Sequence, residues 1–144
     1  MFSKEIEYAI RALVFISIHC TTKNYIKINE IVENIESPKT STAKMMQKLV
    51  GAKIVESKSG PNGGFRINPE IQKKTNLYDV VIALDYSHFF DVCVLGVKEC
   101  GSHKPCPVHN HFTTIKEDIK SVLKNTSIAY LSTNVYEGNS FLKL

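Results

Sequence analysis

Apolar positions recur three and four residues apart near the start of the chain. Ile6, Ala9, Ile10, Leu13, Val14 and Ile18 predict a helix over residues 3–19, because that spacing gathers side chains on one helical face. Phe15 and Ile16 widen the face, so burial on more than one side is expected, and Ser3 stands where a hydroxyl caps a first turn. A polar turn over residues 21–25 follows. Ile28, Ile31, Val32 and Ile35 then predict a short second helix, broken before Pro38, since proline disfavours helix at the preceding residue. Met45, Met46, Leu49 and Val50 give the inner face of a third helix, running from Thr40 or Ser41 to Gly51. The pattern changes at Lys53-Ile-Val-Glu-Ser-Lys. A turn of Ser-Gly-Pro-Asn-Gly-Gly and then Phe-Arg-Ile complete a predicted β-hairpin. Leu77, Val80, Val81 and Leu84 predict a helix over residues 76–84. Phe112, Ile115, Ile119, Val122 and Leu123 predict a longer one over residues 111–131. The tail after Thr133 is polar until Phe141-Leu-Lys-Leu, which docks or frays.

Two short helices joined by a tight turn, with a hairpin directly after them, make a winged helix-turn-helix. The expected fold class is therefore mainly α with a small β-hairpin wing and a long C-terminal helix. Residues 1–75 form the DNA-binding module, residues 76–110 a connecting helix and cysteine loop, and residues 111–144 a dimerisation helix and tail. In so small a chain, a long amphipathic helix outside the winged module needs either a partner copy or its own domain to cover it.

Charge sharpens this picture. The net charge is +4, yet residues 39–66 carry six cations against the single acid Glu56. That window alone is +5, and the remainder is close to neutral. A concentrated basic segment suits nucleic acid, although a solvated basic face has the same composition. Lys44 and Lys48 lie four apart on one outer face of the third helix, and Lys58, Ser59 and Asn62 sit at the hairpin tip. Residues 60–64 are not a nucleotide phosphate loop, because no Gly-Lys-Ser/Thr follows them. An apolar content of 43% and a charged content of 22% are ordinary for a soluble globular domain of 144 residues. There is no signal-peptide pattern and no run apolar enough to span a bilayer, so a cytoplasmic location is expected, with no membrane partner and no small-molecule substrate. No nucleophile–base motif is present, and an enzyme is not expected.

Three of the four cysteines fall in residues 93–109, in the order Cys93, Cys100, Cys106 and then His109, a C-x6-C-x5-C-x2-H spacing. In a reducing compartment such clustering points to metal or redox chemistry rather than to structural disulfides. Thiolate and imidazole suit zinc and iron–sulfur clusters. Pro105 and Pro107 hold the chain out of helix, and Gly96 and Gly101 permit turns. Structural zinc sites generally use two close ligand pairs, whereas only Cys106 and His109 are close here. Gaps of five and six residues accommodate something larger than one ion, so an iron–sulfur cluster leads, with zinc and metal-free thiols as alternatives. Cys20 reads as a buried residue at a helix end.

These features together resemble the Rrf-two family of bacterial winged-helix regulators, some of which carry iron–sulfur clusters. The resemblance spans about residues 1–130. It rests on Glu7-Tyr-Ala-Ile-Arg-Ala-Leu, residues 49–55, Gly60-Pro-Asn-Gly-Gly-Phe, Asp79-Val-Val-Ile-Ala-Leu and the three-cysteine loop. It implies a homodimer on a roughly palindromic double-stranded DNA operator, with the third helix in the major groove and the wing at a minor groove. Lys39, Thr40, Ser41, Lys44, Lys48, Lys58, Ser59 and Asn62 fall in the stretches that would face DNA. Family members often have Tyr, Glu and Arg where this chain has Ser41, Ala43 and Ser59, so a different operator is expected. The resemblance also implies a cluster, two-iron ahead of four-iron, on Cys93, Cys100 and Cys106. The fourth ligand is His109 in one branch of the family; in another, the position of Glu7 serves from the partner subunit. The first gap is six residues here, against five in those branches. The function implied is regulation of transcription by redox state, nitric oxide or iron–sulfur status. The alternative is a zinc- or thiol-based regulator without a cluster.

Overall fold

The computed structural model describes residues 2–20, 24–98 and 103–143. The first helix, α1 (Lys4–His19), begins where Ser3 accepts a hydrogen bond from the Ile6 amide, and it buries Ile6, Ala9 and the run from Ala12 to Ile16. Such broad burial makes α1 the central post of the fold. Helix α2 (Ile28–Ile35) ends at Glu36, whose left-handed φ of 50° turns the chain sharply. Helix α3 (Lys39–Gly51) follows after only three residues. Its Thr42 is buried, donates to the Pro38 carbonyl at 2.9 Å and meets the Ser37 hydroxyl at 2.7 Å, which fixes the turn between the two helices.

The wing is shorter than the sequence predicts. Lys53 adopts φ 60°, and the amides of Ile54 and Val55 bond back to the Leu49 carbonyl, so residues 53–55 close α3 instead of opening a strand. Ile54 and Val55 are buried there. The strands are β1 (Glu56–Lys58) and β2 (Gly64–Arg66), antiparallel, with Glu56 opposite Arg66 and Lys58 opposite Gly64. Ile26 exchanges two 2.8 Å backbone bonds with Phe65 on the other edge of β2. The wing is thereby tied to the segment before α2.

Beyond the wing lie two helices that periodicity does not reveal. Helix α4 (Pro69–Lys74) is capped by Asn68, and α6 (His88–Asp91) is a single turn. Between them, α5 (Leu77–Ala83) has a reciprocal capping box between Asn76 and Asp79. The predicted helix over residues 111–131 is two helices, α7 (His109–Asn125) and α8 (Ile128–Tyr136). The break has a tertiary cause. The Leu77 amide bonds the Thr126 carbonyl at 2.9 Å, and the Ile128 amide bonds the Thr75 carbonyl at 3.0 Å. Residues 126–128 therefore pair with residues 75–77, and Ser127 starts a new helix by capping the Tyr130 amide. Helix α7 packs on α5, and α8 returns to α1 and α4. The tail crosses back as well, where Arg11 donates to the Lys143 carbonyl at 3.1 Å. One buried cluster joins α1, α2, α3 and α5 to Leu123 and Ile128.

Cys20 follows α1, and its thiol donates to the Asn24 carbonyl at 3.2 Å. Burial is the main cause that pushes this thiol above its ordinary range. A raised thiol favours the protonated, unreactive form. Iodoacetamide at pH 8 is therefore expected to label Cys20 several-fold more slowly in the folded protein than in urea, with the difference shrinking as pH climbs above about 9. Peptide mass spectrometry of a labelling time course reads this directly.

Candidate nucleic-acid interface and cysteine loop

On α3, Thr42, Met45, Met46 and Leu49 point inward. The exposed face is then Thr40, Lys44 and Gln47, at spacings of four and three, with Lys39 and Ser41 exposed beside it. Lys39 and Lys44 make no ion pair among the described residues. Ser41 and Lys44 also border a groove shared with Lys4 and Tyr8 of α1. Lys48 is different. Its ammonium lies 3.2 Å from Glu5 and 3.7 Å from Asp85, and the hydrogen bond to Glu5 raises its pKa. This cation ties α3 to α1 and to the end of α5, whereas Lys44 makes no such contact among the described residues.

In the wing, Arg66 is bound by Glu56 at 2.6 Å and stacks 4.9 Å from the centre of the Tyr25 ring. Lys58 lies 5.7 Å from the same ring centre. Lys58, Ser59 and Asn62 are all exposed at the tip. Charge counting along the sequence gives Lys48 and Arg66 the same weight as Lys44 and Lys58, but their acid partners are distant in sequence or across a strand pair.

Gln47 is a residue that sequence reasoning passed over. Its signal was the helical phase of Met45 and Met46, which places it outward, seven residues after Thr40. A side-chain amide can read adenine through paired hydrogen bonds, whereas an ammonium holds phosphate. Lys44→Ala is expected to weaken all DNA binding and to reduce the slope of log affinity against log salt by about one. Gln47→Ala should leave that slope unchanged and relax base preference at one position, by about 1–3 kcal/mol. Fluorescence anisotropy titrations over a range of salt check both.

The second site lies between α6 and α7. Cys93, Cys106 and His109 line one cavity of about 600 Å³, together with Phe90, Phe112 and Lys116. Cys93 and Cys106 are half-buried. The Gly96 amide bonds the Cys93 carbonyl at 2.9 Å in a turn that needs the φ of 70° at Gly96. His109 opens α7, and its amide donates to the Cys106 carbonyl at 3.0 Å. Cys100 lies outside the described residues. Glu7 does not line this cavity; it is bound to Lys4 at 2.6 Å, a contact that raises the Lys4 pKa. Among the described residues, no three histidine, cysteine or acidic side chains converge as a ready metal site. Two soft thiols and an imidazole on one cavity nonetheless fit a cluster-type donor set.

A helix-turn-helix with a paired wing, presenting cations and one side-chain amide on the second helix, defines a winged-helix DNA-binding transcriptional regulator. The chain belongs to the Rrf2 family, described as iron-dependent transcriptional regulators, which it matches over residues 2–134. A protein of Aquifex aeolicus (strain VF5), provisionally designated an HTH-type transcriptional regulator, is 29% identical over 143 residues, covering 98% of this chain and 96% of that one. Among solved structures, IscR of T. potens is similar with a TM-score of 0.75 and 18% identity, covering 99% of this chain and 93% of that chain. CymR, the global cysteine regulator of B. subtilis, is similar with a TM-score of 0.73 and 16% identity, covering 92% of this chain and 96% of that chain. The family and the Aquifex relative are transcriptional regulators, not enzymes. Among the described residues, no helix is long and apolar enough to cross a membrane.

Proposed function

We propose that this protein is a cytoplasmic, homodimeric regulator that binds a double-stranded DNA operator and senses redox state, nitric oxide or iron–sulfur status through an iron–sulfur cluster, two-iron in preference to four-iron. Cys93, Cys100, Cys106 and His109 would hold it. The observation that carries the reading is that Cys93, Cys106 and His109, scattered over 17 residues, line a single cavity at the start of α7. The family's iron dependence supports the same reading. When bound, a thiolate-ligated cluster supplies iron and sulfide that oxidants and nitric oxide attack.

This chain's own residues supply the rest. Thr40, Lys44 and Gln47 face the major groove, Lys39 meets phosphate at the helix start, and Lys58, Ser59 and Asn62 carry the wing to the adjacent groove. Half-exposed or exposed Phe112, Ile115, Ile119 and Val122 form an apolar stripe on α7, the surface for a second copy. The cysteine loop reaches α3 through packed elements: α7 lies on α5, and α5 lies on α3, where Asp85 meets Lys48. Reordering the loop then changes how the two copies of α3 are held. A coupling of about 1–3 kcal/mol gives a 5- to 150-fold change in affinity.

The test is anaerobic purification, a visible spectrum with iron, sulfide and zinc analysis, and then affinity for an operator selected from random duplexes. Brown protein containing iron and acid-labile sulfide, with different affinity before and after cluster removal, is the expected result. Equal affinities would overturn the switch. Zinc without sulfide would overturn the cluster and favour the zinc or thiol alternative.

A further inference from the structure

The cysteine loop leaves α6 at Val92 and rejoins helix at His109. Both ends rest on α7. At the far end, the His109 amide holds the Cys106 carbonyl. At the near end, the Lys116 ammonium donates to the Val92 carbonyl, one residue before Cys93. Lys116 is half-buried in the wall of the cysteine cavity and lies 5.9 Å from the centre of the Phe89 ring in α6. Phe89 in turn packs edge-on against Phe90, and Phe90 sits 5.6 Å from the Tyr78 ring of α5. His109 and Lys116 are seven residues apart, two helical turns, and so share one face of α7.

We infer that Lys116 is a positioning residue: it straps the entry of the cysteine loop to the helix that carries His109, and so sets the spacing between the Cys93 side and the Cys106–His109 side of the cavity. This rests on the proposed cluster site for its purpose but not for its geometry. The strap is specific to a long cationic donor. The carbonyl of Val92 lies outside the helical bonding of α6, whose last closure is the Val92 amide to the His88 carbonyl at 3.0 Å. It therefore takes an external donor, and a charged donor makes a stronger bond than a neutral one. Without it, the loop entry is free to open locally, since its apolar residues Val92, Val94, Leu95 and Val97 are exposed. Lys120 and Lys124 have another task, each lying about 5 Å from the Tyr78 ring centre and fixing α7 to α5.

The experiment compares Lys116→Met and Lys116→Arg with the parent chain. In the metal-free, reduced protein, amide hydrogen exchange is read by mass spectrometry for a peptide covering residues 89–98, with residues 128–136 as the internal control. Lys116→Met is expected to speed exchange in the first peptide by about 5- to 20-fold and leave the control unchanged, while Lys116→Arg stays within about twofold of the parent. In reconstituted protein, Lys116→Met should also lose visible absorbance to a chelator several-fold faster. Exchange in Lys116→Met equal to the parent would overturn the strap. A parent chain that takes up no iron and sulfide would overturn the proposed cluster instead, and the exchange comparison would still decide the role of Lys116.

Discussion

Gly64→Ala is expected to destabilise the protein by about 2–4 kcal/mol and to abolish tight operator binding, although Gly64 is not itself one of the residues expected to face DNA. Gly64 adopts φ 146°, a region that residues with a Cβ rarely enter. A Cβ there would also collide with the Ile26 carbonyl, whose carbon would lie 2.7 Å away. That carbonyl is one half of the Ile26–Phe65 exchange holding the wing to the start of α2. Neither side can yield cheaply, because the Cβ is fixed rigidly to the backbone, the atoms it meets are backbone, and Ile26 is 5% exposed within the core. The wing must detach or α2 must shift, and either moves Lys58 relative to Lys44. The control is Gly51→Ala. Gly51 is the last residue of α3 and a Cβ there meets nothing within 4 Å, so alanine is expected to be neutral or to stabilise by up to about 1 kcal/mol. Urea unfolding of both variants, followed by anisotropy titration on the selected operator, checks the pair. Equal stabilities for Gly64→Ala and the parent would show that the wing carries no such constraint.

The parts of the fold that the sequence discloses are those fixed by local chemistry. The bounds of α1 and α2 follow from apolar spacing, a serine cap and the break before Pro38, each within a few residues of the bound it sets. The wing turn follows from Gly-Pro-Asn-Gly-Gly. What escapes is set by distant partners. The break between α7 and α8 comes from pairing of residues 126–128 with residues 75–77, fifty positions away. The apolar rhythm from Ile115 to Leu131 runs straight through it, and only Ser127, a good cap, hints at a new helix. Helix α4 did carry a local signal, Asn68 followed by Pro69 and Glu70, but it buries no residue fully and so shows no apolar period. The strand expected from Lys53 fails because Ile54 and Val55 serve the core beneath α3.

The candidate sites divide in the same way. Spacing finds the cysteines and the basic helix, because ligand type and charge are properties of single residues. It cannot tell Lys44 from Lys48, since the acids that engage Lys48 lie on α1 and beyond α5. Nor can it show Lys116, whose partner is a backbone carbonyl 24 residues earlier.

The proposed ligand set makes the second large prediction. Cys93→Ala, Cys100→Ala and Cys106→Ala should each lower iron and sulfide content at least tenfold after anaerobic reconstitution. Even outer partners of metal ligands cost about 10- to 100-fold in affinity, and a ligand itself costs more. The informative comparison is between the two candidates for the fourth position. His109 shares the cavity with two of the cysteines, and its place is fixed by the start of α7. Glu7 is held by Lys4 on an exposed turn of α1, where an acid near a helix N-terminus is stabilised by the local dipole in any case. Moving it onto iron in a partner subunit would first require breaking that pair. The pair is a surface one, screened by solvent, so it is a mild brake and not a bar. His109→Ala should shift the visible bands and shorten cluster lifetime, while Glu7→Ala should leave spectrum, iron and sulfide at parental values. The reverse pattern would move the fourth ligand to the partner's first helix, and the cluster would then form only across the assembled dimer. Full cluster content in Cys100→Ala would remove Cys100 from the ligand set and leave Cys93 and Cys106 as the cysteines of residues 93–109 that could hold the cluster.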